Sequence, residues 1–279
     1  MAKLLDGKIV RDKIAQDLKS KIENLQAPPR LVIIQVGDNP ESNTYIAQKI
    51  KFGEKIGANV KYLKLPGDVT EKTLNFQLST FNSEKSINGI IVQLPIPENL
   101  DKDKIIESIN PAKDVDGLHS VNFKKLMEND PTGFVPATTK GVLTLLDHYK
   151  INPAGKHVVV VGRSSLVGKP TALAFLNLDA TVTVCHSKTQ NMERLTKTAD
   201  IIISAVGKPG LITKNHISPG QTIIDVGTTV VDGKLKGDVT AGEVEKIVDW
   251  ISPVPGGVGP MTVASLFQNL LQAYQNQND

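Results

Sequence analysis

The sequence predicts an α/β protein built from two parallel-sheet units. Three observations carry this. Apolar, strand-like runs alternate with helical stripes along most of the chain, and that alternation implies parallel strands with helices on the sheet faces. A second strand–helix series starts afresh at His157–Gly162 (HVVVVG). Between the two series lies 110–137, irregular and marked by Pro111, Gly117, Pro131, Gly133 and Pro136, a connection long enough to suggest a functional loop.

Each element has its own signal. Val10, Ile14, Leu18, Ile22 and Leu25 form a helical stripe over 7–25. Arg30–Gly37 (RLVIIQVG) reads as a buried strand, and Pro40 and Ser42 open a helix to about Ile56. Asn59–Leu65 alternates like a strand, Thr70–Phe81 is helical, Gly89–Leu94 is a strand, and Asp101–Ile109 is a short helix. Thr138–Lys150 is a helix able to bridge to the second series. That series continues with helix 168–178, strand Thr181–His186, helix 190–197, and strands Asp200–Val206 and Thr222–Val226. Asp232-Gly233 between apolar flanks is a hairpin signal. Met261–Tyr274 closes the series as an amphipathic helix that could pack on the first unit, making that unit discontinuous in sequence.

Composition narrows the function classes. The 279 residues carry a net charge of +3, 40% hydrophobic and 22% charged residues, as in ordinary globular proteins. No Lys/Arg block marks a nucleic-acid or membrane partner, and no window approaches a spanning helix. The single cysteine, Cys185, allows no intrachain disulfide and fits a reducing cytoplasm. No two of His119, His148, His157, His186 and His216 stand at metal-ligand spacing, so no metal site is expected.

HVVVVGRSSLVGKP places a Gly-bearing turn between a strand and a helix start. Gly162 permits the tight turn, Gly168 a close helix approach, and the helix N-terminus can face a pyrophosphate. Ser164 stands at the second glycine position of the usual fingerprint, and an ordinary strand–helix turn would read the same. The next strand ends in Cys185-His186-Ser187-Lys188, without the carboxylate an NAD site places there for the ribose 2′-hydroxyl. Arg163, Ser187 and Lys188 could instead bind a 2′-phosphate, which favours NADP.

The run Gly89-Ile90-Ile91-Val92-Gln93-Leu94 ends at Pro95-Ile96-Pro97, which cannot continue a sheet ladder. Val92, the lone amide Gln93 and Leu94 at its end suit a binding-site floor. Ser42, Tyr45 and Lys49, at i, i+3 and i+7, share one helix face. Alone, such a Tyr–Lys pair is better read as a surface lysine beside a half-buried tyrosine.

GIIVQLPIP, with SxxYxxxK before it and Lys113-Asp114-Val115-Asp116-Gly117 after it, closely resembles one family. It is the bifunctional methylenetetrahydrofolate dehydrogenase/methenyltetrahydrofolate cyclohydrolase family, of the bacterial FolD type. VVGRSSLVGKP, HSKT at 186–189 and SPVPGGVGPMTVASL at 252–266 extend the resemblance over nearly the whole chain. It implies a substrate domain of residues 1–139 and 260–279 and a Rossmann-type NADP domain of residues 140–259, joined by long helices with a cleft between. It further implies a cytoplasmic homodimer oxidising 5,10-methylenetetrahydrofolate with NADP+ and hydrolysing the methenyl product to 10-formyltetrahydrofolate. Lys49 would be the principal catalytic residue, oriented by Gln93. Tyr45 would stack on the folate ring, and Asp116 would bind the pterin edge. Pro255, Gly256 and Gly257 would close over the substrate. Gly162, Arg163, Ser164, Ser187 and Thr228 would line the cofactor site. Ala137 and Thr139 depart from the family's PCTPxG, and Thr228-Thr229 from its GIN. The alternatives are a dehydrogenase-only member, an unrelated two-domain NADP oxidoreductase acting on a secondary alcohol, and a non-catalytic dinucleotide-binding regulator.

Overall fold

The structure, a computed structural model, describes residues 1–278. The chain opens with β1 (Lys3–Leu4), α1 (Gly7–Glu23), β2 (Arg30–Val36), α2 (Pro40–Ile56), β3 (Asn59–Leu65), α3 (Glu71–Ser83) and β4 (Gly89–Val92). It continues with α4 (Lys102–Glu107), α5 (Ser120–Met127), α6 (Ala137–His148), β5 (His157–Val161), α7 (Gly168–Leu176), β6 (Thr181–Cys185), α8 (Met192–Lys197) and β7 (Ile201–Ser204). The last elements are β8 (Thr222–Asp225), β9 (Thr229–Val231), β10 (Lys234–Lys236), α9 (Ala241–Val244), β11 (Trp250–Ile251) and α10 (Val258–Asn278).

These elements form two compact α/β units. One comprises Met1–Arg11 and Thr138–Thr262, the other Asp12–Ala137 and the chain from Val263 onward. Helices α1, α6 and α10 run from one unit into the other. The first eleven residues, expected with the substrate domain, belong to the other unit. The cause is a parallel pairing of β1 with β11, Lys3 opposite Trp250 and Leu4 opposite Ile251. A two-residue strand carries no periodicity from which such a partner could be read.

The smaller sheet has the order β3-β2-β4, all parallel. Val32, Ile34, Val36, Ile90 and Val92 on one face pack with Leu74, Leu78 and Phe81 of α3 and Ile105 of α4. Helix α2 lies close to β3 because Gly53 has no side chain. A Cβ there would stand 2.4 Å from Val60 Cγ2 and 3.1 Å from the Phe267 ring. Pro40 at the helix start and the Asn39 side chain, which accepts from the Ser42 amide, fix where α2 begins.

The larger sheet has the order β1-β11-β8-β7-β5-β6, again all parallel. Its core contains Val159, Val161, Cys185, Ile202, Ile223 and Ile251. The Asp232-Gly233 hairpin is present as β9–β10, with φ of 53° and 71° at the two turn residues, the left-handed pair such a two-residue turn requires.

Two further sequence expectations change. The stretch 110–137 is not wholly irregular, since α5 occupies eight residues free of Pro and Gly, Ser120–Met127. Its N-cap is His119, whose Nδ1 accepts from the Val121 amide, an uncommon cap that pattern reading passes over. Strand β4 stops at Val92, two residues earlier than expected, which leaves Gln93 beyond the strand.

Candidate active site

In the three-stranded unit, α2 and the end of β4 bring Lys49 and Gln93 together. Lys49 Nζ donates to Gln93 Oε1 at 2.9 Å. Gln93 Nε2 donates to the Leu94 carbonyl at 2.8 Å, so the amide is held at both ends and its oxygen faces the lysine. Ser42 Oγ reaches the same carbonyl at 3.4 Å, tying the start of α2 to the strand end. The Gln93 amide donates to the Ile34 carbonyl at 2.8 Å, the last ladder bond before the chain leaves the sheet. Lys49 is buried, and desolvation lowers its pKa against an opposing pull from Asp116. Desolvation raises the pKa of Asp116, and the Lys49 charge opposes that shift. Tyr45 is half-buried one turn before Lys49.

The loop carrying Asp116 is held from four sides. Asp114 pairs with Ile90 in a single parallel bridge, so two residues further along each chain come Asp116 and Val92. Buried Lys113 donates to the carbonyls of Phe81, Asn82 and Glu84 at 3.0, 2.9 and 2.8 Å, closing the C-terminus of α3. Asp114 accepts from the amides of Gly117 and His119 and from Asn122 Nδ2. Burial raises its pKa, and these donors oppose the rise. On α10, fully buried Asn269 donates to the carbonyls of Val115 and Val135. Asp114 therefore does more than make a local turn. The sequence reading missed Lys113, Asn122 and Asn269 as supports. The available signal was polar residues placed among buried ones, as Asn269 is within the apolar stripe of α10.

In the six-stranded unit, all strands run parallel, so the segments after them leave from one edge, where open α/β sheets bind ligands. These segments are 162–164 after β5, 186–188 after β6, 205–208 after β7, 226–228 after β8 and 252–257 after β11. Gly162 has φ of 130°, and a Cβ there would stand 2.5 Å from the Ala205 carbonyl oxygen. A Cβ on Gly168 would stand 2.4 Å from the Gly162 carbonyl oxygen. The turn can thus be built only with bare backbone at both points. Ser164 Oγ accepts from the amides of Val167 and Gly168 at 3.2 and 3.3 Å, so this hydroxyl closes the first turn of α7. After β6, the His186 amide donates to Thr189 Oγ1 and the Lys188 amide to His186 Nδ1, a tight turn that leaves the Ser187 and Lys188 side chains exposed. Arg163 and Thr228 are exposed on neighbouring segments. Pro255, Gly256 and Gly257 belong to this unit, not to the one holding Lys49. Their loop is closed by the Gly257 amide on the Pro253 carbonyl at 2.7 Å, and the Gly7 amide donates to the Gly256 carbonyl at 2.9 Å.

The departures at 137 and 139 have structural consequences. Ala137 is buried, and Thr139 Oγ1 lies 3.0 Å from Thr171 Oγ1 of α7, both hydroxyls fully buried. Burial pushes the neighbouring Lys140 down to about 8. Among the described residues no group of three or more His, Cys, Asp or Glu is placed to hold a metal ion.

Residues 5–116 match the catalytic domain of tetrahydrofolate dehydrogenase/cyclohydrolase, and residues 136–278 match its NAD(P)-binding domain. The chain belongs to this family. Within the tetrahydrofolate dehydrogenase/cyclohydrolase family, the bifunctional protein FolD of Methanospirillum hungatei JF-1 is 46% identical over 274 residues, 98% of each chain. The crystal structure of the bifunctional FolD enzyme from Campylobacter jejuni is similar with a TM-score of 0.97 and 41% identity, covering 99% of both chains. The Trypanosoma brucei methylenetetrahydrofolate dehydrogenase-cyclohydrolase, complexed with NADP cofactor and inhibitor, gives 0.94 and 36% over 99% of this chain and 98% of that one. The catalytic-domain match contains Tyr45, Lys49, Gln93 and Asp116, and the NAD(P)-binding match contains Gly162, Arg163, Ser187 and Pro255–Gly257.

Proposed function

We infer that the chain oxidises 5,10-methylenetetrahydrofolate with NADP+ and hydrolyses the methenyl product to 10-formyltetrahydrofolate, two steps of one-carbon folate metabolism. The observation that carries this reading is the buried Lys49 amine held by an uncharged amide.

The cofactor fits the residues present. Bare backbone at Gly162 and Gly168 leaves room for a pyrophosphate to approach, and the segment after β6 offers Ser187 and Lys188 in place of a carboxylate. Arg163, Ser164, Ser187 and Thr228 are the proposed side-chain contacts. Bound NADP+ supplies the hydride acceptor for the dehydrogenase step. That step needs no hydroxyl proton removed, because the adjacent nitrogen lone pair stabilises the cation left on the folate.

Hydrolysis does need proton traffic, and Lys49 is proposed to carry it. Burial lowers the pKa of its amine, which favours the neutral form that can accept a proton. It takes a proton from the water attacking the methenyl carbon. The same proton then goes to the ring nitrogen as the carbon–nitrogen bond breaks, and the remaining hydroxyl proton passes to solvent as the formyl carbonyl forms. Gln93 suits this role because a carboxylate in its place would raise the lysine pKa. Asp116 would accept from N–H donors of the pterin edge, Tyr45 would stack on the ring, and Val92 and Leu94 would floor it. Pro255, Gly256 and Gly257 are the proposed substrate loop of the six-stranded unit.

Retention of both Lys49 and Gln93 supports two activities over a dehydrogenase alone. An ultraviolet assay tests the reading. Protein mixed with NADP+ and methylenetetrahydrofolate should form the methenyl product and then consume it. Accumulation without decay would leave only the dehydrogenase, and no formation would remove both activities.

A homodimer through the cofactor unit is proposed from the β9–β10 ribbon, whose edges are natural pairing surfaces. Light scattering at micromolar concentration should give about twice 30.1 kDa. A cytoplasmic setting is proposed from the lone, buried Cys185. Among the described residues no helix is long and apolar enough to cross a membrane.

A further inference from the structure

We propose that Asp238, clasped with Asp225, is a positioning residue for the NADP-binding edge of the six-stranded unit. The inference rests on the cofactor reading above and extends it to two carboxylates far along the chain from the Gly-bearing turn.

Both carboxylates are buried, with exposures of 1% for Asp238 and 3% for Asp225. Each fills a space left by a glycine on the other's segment. A Cβ on Gly227 would stand 2.2 Å from the Asp238 carboxylate, and one on Gly237 would stand 2.0 Å from Asp225 Oδ2. Asp225 accepts from the amides of Asp238 and Val239, each at 3.0 Å. These bonds close the base of the β9–β10 hairpin, which leaves the chain between Gly227 and Gly237.

Asp238 is aimed elsewhere. Its Oδ2 accepts from Ser204 Oγ and the Val206 amide, both at 2.8 Å, and its Oδ1 from the Lys208 amide at 2.7 Å. All three donors lie at or just after the end of β7. A residue needed only to close the hairpin would use none of them. The segment it holds includes Ala205, whose carbonyl oxygen is the atom that excludes a side chain at Gly162. The backbone of the dinucleotide turn is thus packed against a segment fixed by Asp238. Asp225 adds one more tie, since its amide donates at 2.8 Å to Oγ of Ser252, at the root of the Pro253–Gly257 loop. Charge-assisted bonds to backbone amides are stronger than neutral ones, which suits a carboxylate to this bracing role.

The test is direct binding of NADP+ by calorimetry, with methenyltetrahydrofolate hydrolysis as an internal control because it consumes no cofactor. Wild-type binding is measured first, so that a failure of the cofactor reading itself is told apart. Asp238→Asn keeps size and one acceptor oxygen but turns an NH2 toward backbone donors. Its Kd for NADP+ should rise on the order of 10- to 100-fold, as for other displaced binding groups, while hydrolysis and the KM for folate stay at wild-type values. Ser204→Ala removes one hydroxyl donor and should raise Kd by roughly 3- to 10-fold. It carries the test if Asp238→Asn fails to fold. A wild-type Kd in Ser204→Ala, or in folded Asp238→Asn, overturns the inference. So does a loss of hydrolysis in step with the loss of cofactor affinity, the mark of a merely structural pair.

Discussion

The Lys49 locus and the Gly162 turn are built by opposite means. The first is made of side chains. An amine, an amide and a carboxyl come from α2, the end of β4 and the loop after Lys113, and burial lowers the pKa of the amine and raises that of the carboxyl. The second is made of backbone, where Gly162 and Gly168 matter for lacking a side chain and a carbonyl oxygen stands where a Cβ would go. The difference teaches which substitutions each region tolerates. A side-chain site loses chemistry while keeping its fold. A backbone site loses fold and ligand together.

The strongest way to break that contrast is Lys49→Met. It keeps the apolar stem and removes the titratable amine, so methenyl hydrolysis should fall by roughly 10²–10⁴-fold, the usual share of general acid–base catalysis. Hydride transfer should persist, and the methenyl product should accumulate. Stability should fall by less than about 1 kcal/mol, because a costly buried ammonium goes with the amine. Wild-type hydrolysis in the variant would remove Lys49 from the mechanism, and a large loss of stability would erase the contrast between the regions.

Gly162→Ala tests the other side. Its methyl group would enter the space of the Ala205 carbonyl, 2.5 Å away, at a φ of 130°. Affinity for NADP+ should drop on the order of 100-fold, and stability by about 1–3 kcal/mol. Thermal melts and calorimetry on one preparation check both. A loss of affinity with an unchanged melt would mean that this region, too, separates ligand from fold.

Arg163→Ala sharpens the comparison, since it removes a proposed side-chain contact from a backbone site. Preference for NADP+ over NAD+ in kcat/KM should shrink roughly 10- to 100-fold, the worth of one charge-assisted contact to a 2′-phosphate. The melt should not change. Equal use of both cofactors by the wild-type protein would refute the assignment.

The smallest expected effect concerns pH. Burial raises Asp225 to about 7 from an ordinary 3.8. Between these values the folded chain keeps a proton that the unfolded chain has lost, so this group's contribution to stability falls as pH rises from about 4 to about 7. Asp225→Asn removes that fall. Relative to wild type, the variant should gain on the order of 1–3 kcal/mol across the window. Denaturant melts at several pH values give the slope, and parallel curves for the two proteins would place the proton elsewhere.

The alternation of strands and helices and the hairpin at Asp232-Gly233 were legible in the sequence, because they depend on short-range signals, periodicity and turn chemistry. The candidacy of Lys49 and Gln93 came from the resemblance of their motifs to the family, since a Tyr–Lys pair on one helix face does not by itself single out a catalytic lysine. The pairing of β1 with β11 was out of the sequence's reach, as were the histidine-capped α5, the three carbonyls on Lys113 and the reach of Asn269 to Val115 and Val135. Tertiary structure decided these because each joins segments distant in sequence through one or a few hydrogen bonds. Such a bond leaves no repeat in the chain and is chosen only when packing fixes both ends. The Asp225–Asp238 clasp belongs with them, since the glycines that make room for it read, one segment at a time, as ordinary turns.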